Sequence, residues 1–303
     1  ETAGGIGAVI HNASELPGYL SMTLSYDVNT GKAAPYSALT IVSTAAWGLG
    51  YFGMPHILLR FMAIEDEKKL KLSRRVATIW VVISLFVAVF IGVIGYTMSK
   101  VGALEMLTGS NSETIIVKIS ALLSQHGVIF ALLAGVILAG ILASTMSTSD
   151  SQLLAASSAV SSDILGAFRK DSSNKNGSMA AARITLLVIS VVAAFIARNP
   201  DSSVFAIVSF AWAGFGAAFG PVVLFSLFWK RTNKWGALAG MVCGGSMVFI
   251  WKYLIRPLGG IWNIYELLPA FLIACAAIVI VSLLTPKPSK EIEEEFDRVA
   301  QMK

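Results

Sequence analysis

Charge is what this 303-residue chain has least of: 14% of its residues are Asp, Glu, Lys or Arg, against 55% hydrophobic. With a mean hydropathy of +0.72, that balance excludes an ordinary soluble domain and points to an all-α polytopic membrane protein. Cysteine is nearly absent too. Cys243 and Cys275 both lie inside apolar runs, which argues for buried, unpaired thiols and leaves the redox compartment open. The chain holds no HExxH, no GxSG and no paired aspartates in a GxGD setting, so an intramembrane enzyme has no residues to work with. A retinal-type pump would want a lysine midway along its last helix, and ELLPAFLIACAAIVIVSLL has none. Basic residues sit in short loops rather than in one patch, so nucleic acid is not an expected partner. There is also no initiator Met and no signal peptide, and the opening ETAGGIGAVIHNASELPGYL is polar, which fits a sequence whose beginning is missing. Its Asn12-Ala13-Ser14 matches a glycosylation acceptor, a pattern too short to carry weight.

What the sequence does have is long apolar runs. Seven are of bilayer length, roughly 20 residues each: 38–63, 75–98, 127–149, 181–198, 203–229, 235–254 and 264–285. The third continues without a breaker through QLLAASSAVSSDIL and is expected to stay helical there. The fifth is dense in glycine and is expected to be irregular at its centre. The last two read as straight helices packed against lipid and neighbours, and the charged tail after them as a solvated helix. Of the 23 Lys and Arg, 17 fall in one alternate set of loops, including Arg60 to Arg75, Arg169 to Arg183, Lys230 to Lys234 and the tail. That bias predicts residues 1–37 outside and the C-terminus in the cytoplasm.

Three stretches carry chemistry. In WGLGYFGMPH, Gly48, Gly50, Gly53 and Pro55 crowd together in the middle of a membrane run, and Trp47 and Tyr51 are four residues apart on one face. Small residues let a neighbouring helix approach closely. Pro55, however, also removes a donor and frees the carbonyl one turn back, at Tyr51. Freed backbone groups at membrane depth are tolerated only against protein or a watery cavity, so a discontinuous helix lining a binding site is the functional reading. In ILASTMSTSDSQLLAASSAV, Ser144, Ser147, Thr148 and Ser151 share one helical face. Their hydroxyls can bond back to their own helix, or offer the neutral oxygens that suit a sodium ion, and spacing alone leaves both open. Asp150 follows at once, an ionisable group near a span and therefore a functional candidate. In the fifth run, Trp212 and Phe215 accompany Gly214, Gly216, Gly220 and Pro221, as in a helix able to bend over a cavity.

WGLGYFGMPHILLRFMA, MSTSDSQLLAASSAV and FAWAGFGAAFGPVVLFSLFWKRTNKWGALAGM together resemble the C-terminal portion of a sodium:solute symporter, and most of all the bacterial sodium/proline symporters. The similarity runs from about residue 37 to about 285. The resemblance implies an inverted repeat of five helices plus five, in which 38–229 is the second repeat, 230–285 two flanking helices, 1–37 an extracytoplasmic loop and 286–303 a cytoplasmic tail. It implies that the first repeat is absent from the sequence. It implies a solute pocket at Trp47, Tyr51 and Pro55 with backbone near Gly50 and Gly53, sodium ligands at Ser147, Thr148 and the Ser144 carbonyl, and a pathway near Trp212, Phe215 and Asp150. Met54 stands where a well-known family member has glutamine, and Asp150 where it has a small polar residue. The expected function is sodium-coupled import of proline across a bacterial cytoplasmic membrane, without enzymatic activity and with no cofactor beyond Na⁺ as coupling ion. Another solute such as pantothenate or a different amino acid, or a transporter-like sensor module, is the alternative.

Overall fold

The computed structural model describes residues 4–27, 30–164, 175–198 and 203–301. It is almost wholly helical, with one two-stranded hairpin of β1 (Leu24–Asp27) and β2 (Lys32–Pro35). Six helices are long and apolar enough to cross a membrane among the described residues. The first apolar run, 38–63, is divided into shorter segments. The chain folds into two compact units, one of residues 1–20, 28–32 and 64–204, the other of 21–27, 33–63 and 205–303.

The first unit contains α1 (Gly5–Ser14), α5 (Leu70–Lys100), α6 (Ile115–Ser124), α7 (Val128–Ser158) and α8 (Lys175–Ile196). Within 1–37, expected to be an extracytoplasmic loop, α1 packs Val9 and Ala13 on Val93 of α5. Lys100, at the end of α5, bonds the side chains of Asn12 and Glu15. Asn12 is therefore paired on a helix rather than offered on a loop. At 31 residues, α5 and α7 would each run about 46 Å, more than the ~30 Å hydrocarbon core. Their apolar side chains are mostly exposed. The helix through QLLAASSAV is continuous to Ser158 and then widens into a π-helical turn, Ala159–Ile164. Buried Ser157 donates to the Ala182 carbonyl of α8 at 2.7 Å, which holds these two helices together. Outside the spans, Lys118 hydrogen-bonds Glu105 at 2.8 Å and holds that carboxyl below its ordinary range.

The second unit contains α2 (Ala38–Ala45), α3 (Trp47–Gly50), α4 (Pro55–Met62), α9 (Val204–Phe228), α10 (Lys234–Ile250), α11 (Leu267–Leu284) and the tail helix α12 (Lys290–Gln301). Contrary to expectation, α9 is unbroken through its glycines and Pro221. Neighbouring segments fill the space beside Gly216 and Gly220. A second correction concerns α10, which is not simply straight. It passes into a π-helical turn, Trp251–Ile255, before Pro257 ends it.

Between α10 and α11 lies a seam of small residues. Gly236, Gly240 and Gly244 recur every fourth position on one face of α10, and a Cβ on them would run into Ser282, Ile278 and Ala274 of α11 in turn. Gly244 also meets the Ala217 carbonyl of α9, so three helices converge there. Asn233 closes one end of the seam. Its Oδ1 accepts from Gly236 N at 2.9 Å and caps α10, while its Nδ2 donates to Thr285 Oγ1 at 2.7 Å and Pro286 O at 2.8 Å at the end of α11. Lys230 binds Asp297 of α12 at 2.6 Å, a surface pair worth little in stability.

Gly244→Ala should lower stability by about 1–3 kcal/mol, because its methyl meets backbone rather than a yielding side chain. Gly214→Ala, which meets nothing, should not. Thermal unfolding in detergent checks the difference.

Candidate functional site

The break in the first apolar run falls at one residue. From Ala38 to Gly53 the backbone stays helical, tightening to a 3₁₀ turn over Tyr51–Gly53. Met54 is extended, with φ −84° and ψ 112°, and Pro55 is the first residue of α4. The proline thus starts a helix instead of interrupting one, at the position where its missing N–H is harmless. The Met54 carbonyl accepts from Ile57 N and Leu58 N, both at 3.0 Å, which closes the first turn of α4. Met54 itself is buried, while Pro55 and Tyr51 are exposed, Tyr51 by 54%.

The glycines around the break owe their identity to close approach. A Cβ on Gly50 would overlap the Trp212 indole, and one on Gly53 the Phe215 carbonyl and the backbone of Gly216 and Gly220. In return, a Cβ on Gly216 would meet Gly50 Cα at 2.7 Å. The segment before the break therefore lies backbone-to-backbone on α9.

Aromatic rings gather beside this contact. Trp47 stacks with Phe205 at 5.4 Å, Tyr265 at 5.7 Å and Trp212 at 5.9 Å. Tyr51 meets Trp212 edge-on at 4.8 Å. Trp212 Nε1 donates to the Trp47 carbonyl at 3.0 Å, which locks α9 to α3. The structure thus brings together Trp47, Tyr51, Gly50, Gly53 and Trp212 from the sequence-derived set, and Phe215 contributes its carbonyl next to Gly53. Phe205 and Tyr265 were not among the candidates. Tyr265 lies more than 200 residues from Trp47 in the chain, and no local pattern marks it. The four-residue spacing of Gly236, Gly240 and Gly244 is a small-residue motif that was not among the candidates either.

Ser144, Ser147, Thr148 and Asp150 lie on exposed positions of α7, in the other compact unit. Thr148 Oγ1 donates to the Ser144 carbonyl at 3.2 Å, and Ser151 Oγ to the Ser147 carbonyl at 3.0 Å. The back-bonding of Ser and Thr to their own helix is thus realised at two positions. A hydroxyl that donates its hydrogen inward keeps its oxygen lone pairs available, and Thr148 Oγ1 and Ser144 O form a neighbouring pair of neutral oxygens. Neutral oxygens are the type of ligand that a small hard cation takes.

These features define a polytopic, all-α membrane protein with one span broken at an aromatic-lined contact. The profile of the sodium:solute symporter family matches residues 6–244. A sodium/proline symporter of Haemophilus influenzae is 41% identical over 262 residues, covering 86% of this chain and 51% of the relative. The osmoregulated proline transporter OpuE of Bacillus subtilis is 39% identical over 254 residues, covering 84% and 50%. A sodium/proline symporter of Escherichia coli is 39% identical over 259 residues, covering 85% and 50%. No solved structure matches. The chain belongs to the sodium:solute symporter family, and it spans about half the length of the curated relatives it matches.

Gly53→Ala should destabilise the fold by about 1–3 kcal/mol through backbone overlap with α9, and Gly48→Ala, whose Cβ meets nothing, should be tolerated. Detergent unfolding midpoints of the two variants distinguish packing at the break from a general intolerance of side chains there.

Proposed function

We propose that the protein takes part in sodium-coupled import of proline across a bacterial cytoplasmic membrane. The observation that carries this reading is the break at Met54, with Trp47 and Tyr51 immediately before it and Pro55 immediately after. The printed names of the relatives, sodium/proline symporters and proline transporters, support the choice of solute and ion.

Proline as a zwitterion has a carboxylate, an ammonium group and an apolar ring. The start of α4 and backbone near Gly50 and Gly53 suit the charged ends, and the Trp47 and Tyr51 faces suit the ring. Trp212 and Phe215 are candidates for the gate or pathway, and Asp150, near the cytoplasmic end of its own span, is another. Ser147, Thr148 and the Ser144 carbonyl supply part of the sodium shell, favouring an outward-open, solute-ready state when sodium is bound. One positive charge moving inward gains about 2.3 kcal/mol per 100 mV, roughly a fifty-fold solute gradient. No covalent step is needed. In this reading 38–229 is the second five-helix repeat, 230–285 two flanking helices, 286–303 a cytoplasmic tail, and 1–37 lies outside. The excess of Lys and Arg in alternate loops supports that orientation.

In the protein expressed from its whole coding sequence, Ser147→Ala or Thr148→Ala should raise the sodium concentration for half-maximal uptake of labelled proline about tenfold or more, on the scale of one lost charge-assisted ligand. Unchanged sodium dependence would remove those ligands from the proposal. Trp47→Ala should raise the KM for proline while the sodium dependence stays near that of the parent. Equal losses of both would point to misfolding. Competition by unlabelled amino acids and pantothenate identifies the solute.

A further inference from the structure

Tyr265 stands just before α11, at the edge of a span that packs mainly against its neighbours, yet it touches three other segments of its unit. Its ring lies 14° from the plane of Trp47 at 5.7 Å. Its hydroxyl donates to the Ser209 carbonyl of α9 at 2.6 Å, and its backbone N–H donates to Ser43 Oγ of α2 at 3.1 Å. The residue is 7% exposed. It therefore joins α2, α3 and α9 on the side of the broken segment where the aromatic rings gather.

The next residue explains how Tyr265 is held. Glu266 is 1% exposed, and its carboxylate accepts from Arg256 Nη1 at 2.9 Å. Arg256 Nε donates in turn to Asn263 Oδ1 at 2.9 Å. A carboxylate taken out of water needs a paired cation, so the 256–266 connection is restricted to conformations that deliver the guanidinium to Glu266. Those conformations also fix the backbone of Tyr265. An ion pair serving stability alone would not require an aromatic ring laid parallel to Trp47 at its neighbouring position.

We propose that Tyr265 is a positioning residue for the solute site: it sets the ring plane of Trp47, and the Arg256–Glu266 pair sets Tyr265. The proposal rests on the reading of Trp47 as solute-facing. It gives the connection between α10 and α11 a part in affinity.

The test uses the protein expressed from its whole coding sequence. Tyr265→Leu removes the stack and should raise the KM for proline about five- to tenfold, the scale of one aromatic pair. Its maximal rate and sodium dependence should stay within about twofold of the parent. Tyr265→Phe keeps the ring and should restore the KM. Glu266→Gln should shift the KM in the same direction as Tyr265→Leu. In a Trp47→Leu background, Tyr265→Leu should have no further effect. Independent, multiplying effects of the two changes would overturn the proposal. A solute-free measurement separates it from the reading of Trp47. With other cysteines replaced, Tyr51→Cys should react with a maleimide several-fold faster when Tyr265 is Leu, and at the parent rate when it is Phe. If that rate does not change, the positioning role is wrong whatever uptake shows. If it changes while Trp47→Leu leaves the proline KM unaltered, the hold of Tyr265 on the broken segment stands and the solute-facing role of Trp47 falls.

Discussion

A hydrogen-bonding backbone group cannot be left facing hydrocarbon, and that constraint governs how a span can be broken inside a membrane. At Met54 the helical ladder stops and a new helix begins at Pro55. The segment before the break is covered by protein because α9 presents Gly216 and Gly220 to it, and because Gly50 and Gly53 present no side chain in return. The same arrangement continues outward through the unit. Phe271 and Leu267 of α11 close on Gly220 and Gly216, and Gly244 of α10 seats against the carbonyl of Ala217 on α9. Fully buried Ala213, Ala217, Ala270 and Ala274 extend this close contact between helices. Small residues carry the packing here because lipid supplies no hydrophobic drive between helices, and van der Waals contact must supply it.

The two sets of chemically capable side chains are built on different principles. The aromatic set around Trp47 is held by rings and one indole hydrogen bond, so its geometry depends on several helices at once. The hydroxyl set on α7 is organised by a single helix, whose own carbonyls orient Thr148 and Ser151. The hydroxyl set is thus fixed by neighbours within one turn, whereas the aromatic wall can be altered from residues far along the chain.

The long spans were legible in the sequence because length and hydropathy suffice to find them. The break was legible because a proline inside an apolar run has few structural outlets. Its location was less so. Pro55 was expected to free the Tyr51 carbonyl in a helix interrupted among its glycines; the interruption falls at Met54, the extended residue, and Pro55 begins α4. Glycine density misled at α9, where Gly214, Gly216, Gly220 and Pro221 suggested unwinding. A glycine that admits a neighbour's backbone and a glycine that bends a helix look alike in sequence, and only the neighbour decides. Tyr265 and Phe205 were invisible for a related reason, since their partner Trp47 is distant in the chain and no periodicity connects them.

Asn233 serves the beginning of one helix and the end of the next with a single amide, and the glycine face of α10 and its partners on α11 zip the two together above it. The hydrogen bonds that join these two helices at that end run from Arg231 and Asn233 to Ser282, Thr285 and Pro286, all within one stretch of chain. As the chain is synthesised, this hairpin can close on itself as soon as its second limb emerges, without waiting for the rest of the fold to arrange a docking surface. These two spans can thus enter the bilayer as a finished pair, and then offer Gly244 and Tyr265 to the other helices of their unit.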